Sequence, residues 1–300
     1  MNGIRTAPAN GITIAYETFG DPADVPILLV MGLGTQMLAW HDGFCAMLAA
    51  RGHRVIRFDN RDIGLSTHLE DERPGRPVAA FLGRKPVYLI ADMADDTAGL
   101  ISELDLGSVH VVGISMGGCI GQSLTLRHPG LVRSLTSISS STGSRRVGRP
   151  RFEVGVRMLV RRRAADRAAA IAHSVAVWRH IGSPGYPFDL QRIEDLAGRA
   201  YDRSYDPAGG SRQFAAVLGS PDRTGLLRDV AVPALVLHGE ADPLITVSGG
   251  AATAAAIPGA RLVTFPGMGH DLPEALWPRF VEEISAVVQD GEEARAQAVN

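Results

Sequence analysis

Apolar and polar positions along this 300-residue chain fall into two rhythms. In ITIAYETFG (12–20) they alternate, the period of a half-exposed strand. VPILLVMG (25–32), HRVIRFD (53–59), SVHVVGIS (108–115) and VRSLTSIS (132–139) are instead short β-rich runs, the pattern of buried parallel strands. Helical spacing fills the intervals at 42–51, 91–105 and 116–128. After about residue 222 the alternation resumes with ALVLHGE (234–240), a helix near 248–257, ARLVTFPG (260–267) and LWPRFVEEISAVV (276–288). Strands that alternate with helices predict an α/β fold, a mainly parallel sheet flanked by helices.

Residues 141–222 break that rhythm. They carry helical patterns and turn signals such as GSPGYP (182–187) but no convincing strand. This predicts a helical cap inserted after the strand near 132–139, with the core formed by 1–140 and 223–300. The tail DGEEARAQAVN (290–300) is expected to fray.

Composition narrows the function classes. With 45% hydrophobic and 21% charged residues and a net charge of -2, the chain is neither disordered nor globally basic, so nucleic acid is not an expected partner. The first twenty residues lack the apolar core of a secretory signal, and no stretch reaches the ~18 apolar residues of a membrane span. The expectation is a soluble, cytoplasmic protein. Cys45 and Cys119 are too few for a disulfide framework and lack metal-ligand spacing, which predicts two buried free thiols.

One stretch points directly to chemistry. VVGISMGG (111–118) sets Ser115 between glycines at the junction of a predicted strand and a predicted helix. A sharp turn there lifts a serine hydroxyl out at the carboxyl edge of the sheet, with a helix N-terminus behind it. A chance G-x-S-x-G in a loop would lack this strand-then-helix context. A serine hydroxyl is a weak nucleophile near neutral pH, so it needs a base, and the base needs an orienting acid.

Of nine histidines, His270 stands apart: it lies in the Gly-rich loop FPGMGHDLP (265–273), after the last predicted strand and at the same sheet edge as Ser115. His53, His110 and His238 fall in strands and His128 ends a helix, where a structural role is the simpler reading. HGEADPLI (238–245) offers Glu240 and Asp242 in the loop after the preceding strand. Asp242 is the preferred acid; Glu240 reads as a turn carboxylate, and Asp271 cannot easily fold back onto its neighbour's ring. The segment after 132–139 supplies no competing carboxylate. An oxyanion would be met by the amide of Met116 and by one from the loop MGLGTQMLAW (31–40), with Leu33 the expected second donor.

Other chemistries have little to stand on. The GLG after the first buried strand lacks the third glycine of a dinucleotide fingerprint, Met37 taking its place, and no metal or phosphate-loop motif is present. Neither cofactor nor metal is therefore expected. FDNRDIGLST (58–67) reads as a hydrogen-bonded surface turn that braces the site's edge.

Taken in order, LLVMGLG, VIRFDNRDIGLST, HVVGISMGG, GEADPLI and PGMGHDLP resemble bacterial α/β-hydrolase esterases and lipases, over roughly 12–140 and 230–290. The chain order Ser, Asp, His agrees with that fold. Met31 stands where many members place a histidine before the oxyanion-loop glycine. The resemblance implies hydrolysis of a small, apolar ester through an acyl-enzyme, with Ser115, Asp242 and His270 at the family's triad positions. Thioesterase, carbon–carbon bond hydrolase and haloperoxidase-like activities on the same triad remain open, as does a non-hydrolytic sensor.

The arginine-rich stretch 145–167 adds one more alternative. Phe152, Val156, Leu159 and Val160 fall at helical spacing, leaving Arg161, Arg162 and Arg163 to the other faces. A solvated helix face is the preferred reading over attraction to an anionic membrane surface.

Overall fold

The computed structural model describes residues 3–69, 75–159 and 164–299. Eight strands form one sheet: β1 (Arg5–Ala9), β2 (Ile12–Phe19), β3 (Val25–Val30), β4 (His53–Phe58), β5 (Val109–Ile114), β6 (Val132–Ile138), β7 (Ala234–Gly239) and β8 (Arg261–Phe265). Their spatial order is β1-β2-β4-β3-β5-β6-β7-β8. The first two strands form an antiparallel hairpin and β2 runs antiparallel to β4; every other pairing is parallel. The α/β architecture expected from the alternating rhythms is therefore the one found.

Each central strand is buried on both faces because helices cover both. On β3, Leu28 and Val30 enter one core layer while Ile27 and Leu29 enter the other, as the two-residue pleat requires. One layer is closed by α3 (Ile90–Glu103) and α4 (Met116–Arg127) and receives Ile257 from the end of α9 (Ser248–Ala256). The opposite layer is closed by α1 (Asp42–Ala49) and α10 (Trp277–Val299). Cys45 and Cys119 are both buried free thiols. No helix among the described residues is long and apolar enough to cross a membrane.

A short helix, α2 (Pro77–Phe81), follows β4. Between β6 and β7 lie α5 (Phe152–Leu159), α6 (Arg167–Ile181), α7 (Leu190–Arg203) and α8 (Pro207–Gly219). Asp166, Asp189 and Asp206 cap the last three, each accepting a first-turn backbone N–H.

Two expectations need correction. The tail does not fray at 290: α10 continues through it to Val299. Asp290-Gly291 reads as a helix stop, but Gly291 is where the helix passes the start of β6, and a Cβ there would lie 2.8 Å from the Arg133 carbonyl oxygen. The next residue, Glu292, takes hydrogen bonds from Arg133 (2.9 Å) and His110 (3.1 Å) and pins the tail to the sheet. At the start of α5, Phe152 is 86% exposed while Val154 is buried, so the inward face begins two residues later than the spacing suggests. Val160, Arg161, Arg162 and Arg163 lie outside the described residues.

Candidate functional site

The turn at Ser115 is built by close approach. Ser115 has φ of +56°, a left-handed conformation that costs a non-glycine residue on the order of 1–3 kcal/mol. Its flanking glycines make room for it. A Cβ at Gly113 would lie 2.2 Å from the Gly117 carbonyl oxygen, and one at Gly117 would lie 2.0 Å from that of Val30. The chain ends β5 on Gly-x-Ser-x-Gly because no larger residue fits where strand, turn and α4 meet. The Ser115 N–H donates to the Ile138 carbonyl at 2.8 Å, and the Ser115 carbonyl accepts the Ser140 hydroxyl at 2.7 Å.

Ser115, His270 and Asp242 are brought into one hydrogen-bonded line from the ends of β5, β8 and β7. Ser115 Oγ lies 3.0 Å from His270 Nε2, and His270 Nδ1 lies 2.7 Å from Asp242 Oδ2. With the ring proton on Nδ1, His270 donates to the carboxylate and accepts from the serine hydroxyl. Asp242 is 2% exposed, and its Oδ1 accepts the backbone N–H groups of Leu244 (2.8 Å) and Ile245 (2.9 Å). Those two bonds fix the carboxyl group and leave Oδ2 for the imidazole. Glu240 is exposed and accepts the Thr264 hydroxyl instead.

A second histidine lies behind the acid. His238 Nε2 is 3.7 Å from Asp242 Oδ2, but it donates to the Ile245 carbonyl at 2.8 Å. Burial lowers its pKa, so the ring stays neutral near pH 7 and leaves Asp242 Oδ2 to the closer His270 ring at 2.7 Å.

The loop after β3 passes beside the serine: a Cβ at Gly32 would lie 3.2 Å from that of Ser115. The amides of Leu33 and Met116 donate to no acceptor among the described residues. Three side chains hold this loop, Gln213 unforeseen in the sequence and Asn60 and Asp59 from the bracing stretch FDNRDIGLST. Gln213 of α8 accepts the Gly34 N–H (2.8 Å) and donates to the Arg61 carbonyl (2.8 Å). Asn60 donates to the Met31 carbonyl (3.0 Å), and Asp59 accepts the Met37 N–H (2.8 Å). A glutamine directly before the apolar run FAAVL (214–218) was the available signal for Gln213.

FDNRDIGLST does brace this edge, but it is not a surface turn. Asp59, Asn60, Arg61 and Asp62 are all buried. Asp59 pairs with Arg203 of α7 at 2.9 Å, Arg61 with Asp96 of α3 at 2.5 Å, and Asp62 with Arg212 of α8 in a two-bond fork of 2.6 and 2.8 Å. Burial turns the stretch inward because partners on distant helices neutralise it. Asp62, His68 and Asp206 have ligand atoms within 4.8 Å of one another, yet the Arg212 guanidinium lies against both carboxylates and supplies the positive charge there.

A groove of about 730 Å³ runs between α6 and α7, lined by Arg167, Ile171, Gln191, Glu194, Asp195 and Arg199. It contains none of the three residues in the hydrogen-bonded line.

Comparison with known proteins places the chain in a family. A rhodomycin D methylesterase of Streptomyces sp. strain C5 is 29% identical over 91% of this chain and 93% of its own. An esterase from a Rhodococcus species superposes with a TM-score of 0.72 at 23% identity, covering 95% of this chain and 98% of the other. An enol-lactonase from Burkholderia xenovorans superposes with a TM-score of 0.70 at 23% identity, covering 95% and 100%. The family model described as the alpha/beta hydrolase fold matches residues 25–274. This chain belongs to the α/β-hydrolase fold family.

Proposed function

We propose that this protein is a serine esterase that cleaves small-molecule carboxylic esters through an acyl-enzyme. The observation that carries the proposal is the unbroken line from Ser115 Oγ through His270 to Asp242, at 3.0 and 2.7 Å. His270 takes the hydroxyl proton as Ser115 attacks the ester carbonyl, and Asp242 stabilises the imidazolium that forms. The amides of Leu33 and Met116 receive the oxyanion, aided by the N-terminus of α4. The imidazolium then returns its proton to the departing alkoxide. Water, deprotonated by the same ring, releases the acid and restores Ser115.

The similarity to rhodomycin D methylesterases supports ester hydrolysis and directs attention to methyl esters. Residues 141–222 act in this reading as a helical cap: α7 and α8 reach the nucleophile's neighbouring loop through Arg203 and Gln213. The test is covalent. A fluorophosphonate should label the wild-type serine, and Ser115→Ala should abolish labelling and lower turnover of p-nitrophenyl acetate by about 10⁴- to 10⁶-fold. Wild-type turnover in the alanine variant would overturn the assignment, and binding of esters without turnover by the wild type would favour a sensor.

A further inference from the structure

The loop that carries His270 is gripped by the segment that follows α6. The His270 N–H donates to the Ile181 carbonyl at 2.8 Å. On one side of it, the Gly269 N–H donates to Ser183 Oγ at 2.8 Å. On the other, the Ser183 hydroxyl donates to Asp271 Oδ1. One hydroxyl therefore spans both neighbours of the histidine. A further bond, from the Gly185 N–H to the Gly267 carbonyl at 2.9 Å, extends the grip toward β8.

Ser183 has no other side-chain hydrogen bond among the described residues, so its hydroxyl serves this loop alone. Asp271 is the costly member of the arrangement. Burial pushes its pKa up, while the Ser183 hydroxyl and the nearby His270 and Arg192 act in the opposite direction. Without the hydroxyl, the half-buried Asp271 carboxyl group loses one of its partners and the Gly269 amide loses its acceptor, and the loop is drawn to move to satisfy them. His270 has little tolerance for such movement because both ring nitrogens already meet partners at hydrogen-bond distance.

We propose that Ser183 is a positioning residue for His270, fixing the ring's approach to Ser115 through the residues on either side of it. The inference rests on the reading of Ser115 as nucleophile and His270 as base. It means that the inserted helical segment sets the geometry of the base as well as covering the site. A displacement of about 1 Å in a reacting group is enough to slow catalysis about 100-fold.

The experiment uses the full chain, p-nitrophenyl acetate as substrate, and fluorophosphonate titration to count competent sites. Ser183→Ala should lower kcat per titrated site by roughly 10- to 100-fold with KM within about twofold of wild type. Ser183→Thr, which keeps the hydroxyl, should recover most of that loss. A purely structural role would reduce the number of titratable sites and leave kcat per site unchanged; that result overturns the proposal, as does equal loss in the alanine and threonine variants. Ser115→Ala, assayed in parallel, separates the two readings. Retained turnover there defeats the serine mechanism itself, whereas an inactive Ser115→Ala beside a fully active Ser183→Ala defeats only the positioning role.

Discussion

Two sets of buried carboxylates lie at the same edge of the sheet and are neutralised in opposite ways. After β4, Asp59 and Asp62 face the guanidinium groups of Arg203 and Arg212. After β7, Asp242 faces two backbone amides and an imidazole. A guanidinium carries its charge at every pH a protein meets, so the first set is a permanent fastening between the sheet edge and α7 and α8. An imidazole, unlike a guanidinium, has one ring nitrogen that can accept a proton while the other holds the carboxylate, so the second set is not a permanent ion pair. Equal burial thus gives a strut in one place and, under the proposed function, a proton-transfer site in the other, and the partner decides which.

Breaking the second set should have the larger effect on rate. Asp242→Asn should reduce kcat/KM for p-nitrophenyl acetate by about 10⁴-fold, because the amide can present the wrong hydrogen-bonding edge to Nδ1. Glu240→Gln, two residues away and exposed, should leave it nearly unchanged. Equal losses would remove Asp242 from the proposed triad.

Breaking the first set should act on stability. Arg212→Met leaves Asp62 buried with only the Tyr88 hydroxyl (2.7 Å) and the Leu69 N–H (2.8 Å). The unfolding free energy in urea should fall by about 3–5 kcal/mol, the usual consequence of stranding a buried charge. A fall under about 1 kcal/mol, typical of an exposed pair, would show that the fastening is not buried in solution.

The smallest effect is the most specific. Burial disfavours a charged His68, but hydrogen bonds to Asp206 and the Gly64 carbonyl outweigh it, so its pKa is raised in the folded protein. A raised folded pKa stabilises fully below the unfolded value of about 6.5, and the contribution disappears as pH rises through the folded value. The stability gap between wild type and His68→Asn should therefore be widest near pH 5.5 and narrow steadily above about pH 7. A gap that does not vary with pH would mean that His68 joins this network as a neutral ring.

The strands that position the site were legible because burial on both faces leaves a continuous apolar signature. β3 to β6 could be read in this way, β2 from its alternation, and β7 and β8 from the return of the strand–helix order after residue 222. β1 could not: RTAPA is five residues long, holds Pro8, and lies at the edge, where a proline is tolerated and apolar content is low. Ser115 was legible because its constraint is local, a turn that admits only glycine at two fixed positions. The partners of Asp59 and Asp62 were not. Arg212 lies 150 residues beyond Asp62, and one arginine among many carries no mark of the carboxylate it will meet. Separation along the chain also hid Ser183, which reaches Asp271 across 88 residues from within an ordinary turn sequence.

The order of the strands along the chain also sets the order in which the molecule is made. Ser115 precedes His270 by 155 residues, so at ordinary rates of translation the proposed base follows the proposed nucleophile out of the ribosome by roughly 8 to 30 s. A nascent chain that has completed β5 and α4 holds the serine, its glycines and the helix N-terminus, but nothing to take the proton. During the same interval β6 waits as an open strand for β7, which arrives only after the whole inserted helical segment has been synthesised. The delay that, under the proposed function, keeps the unfinished chain chemically silent is also the period in which its unpaired sheet edge is most exposed to the wrong neighbour.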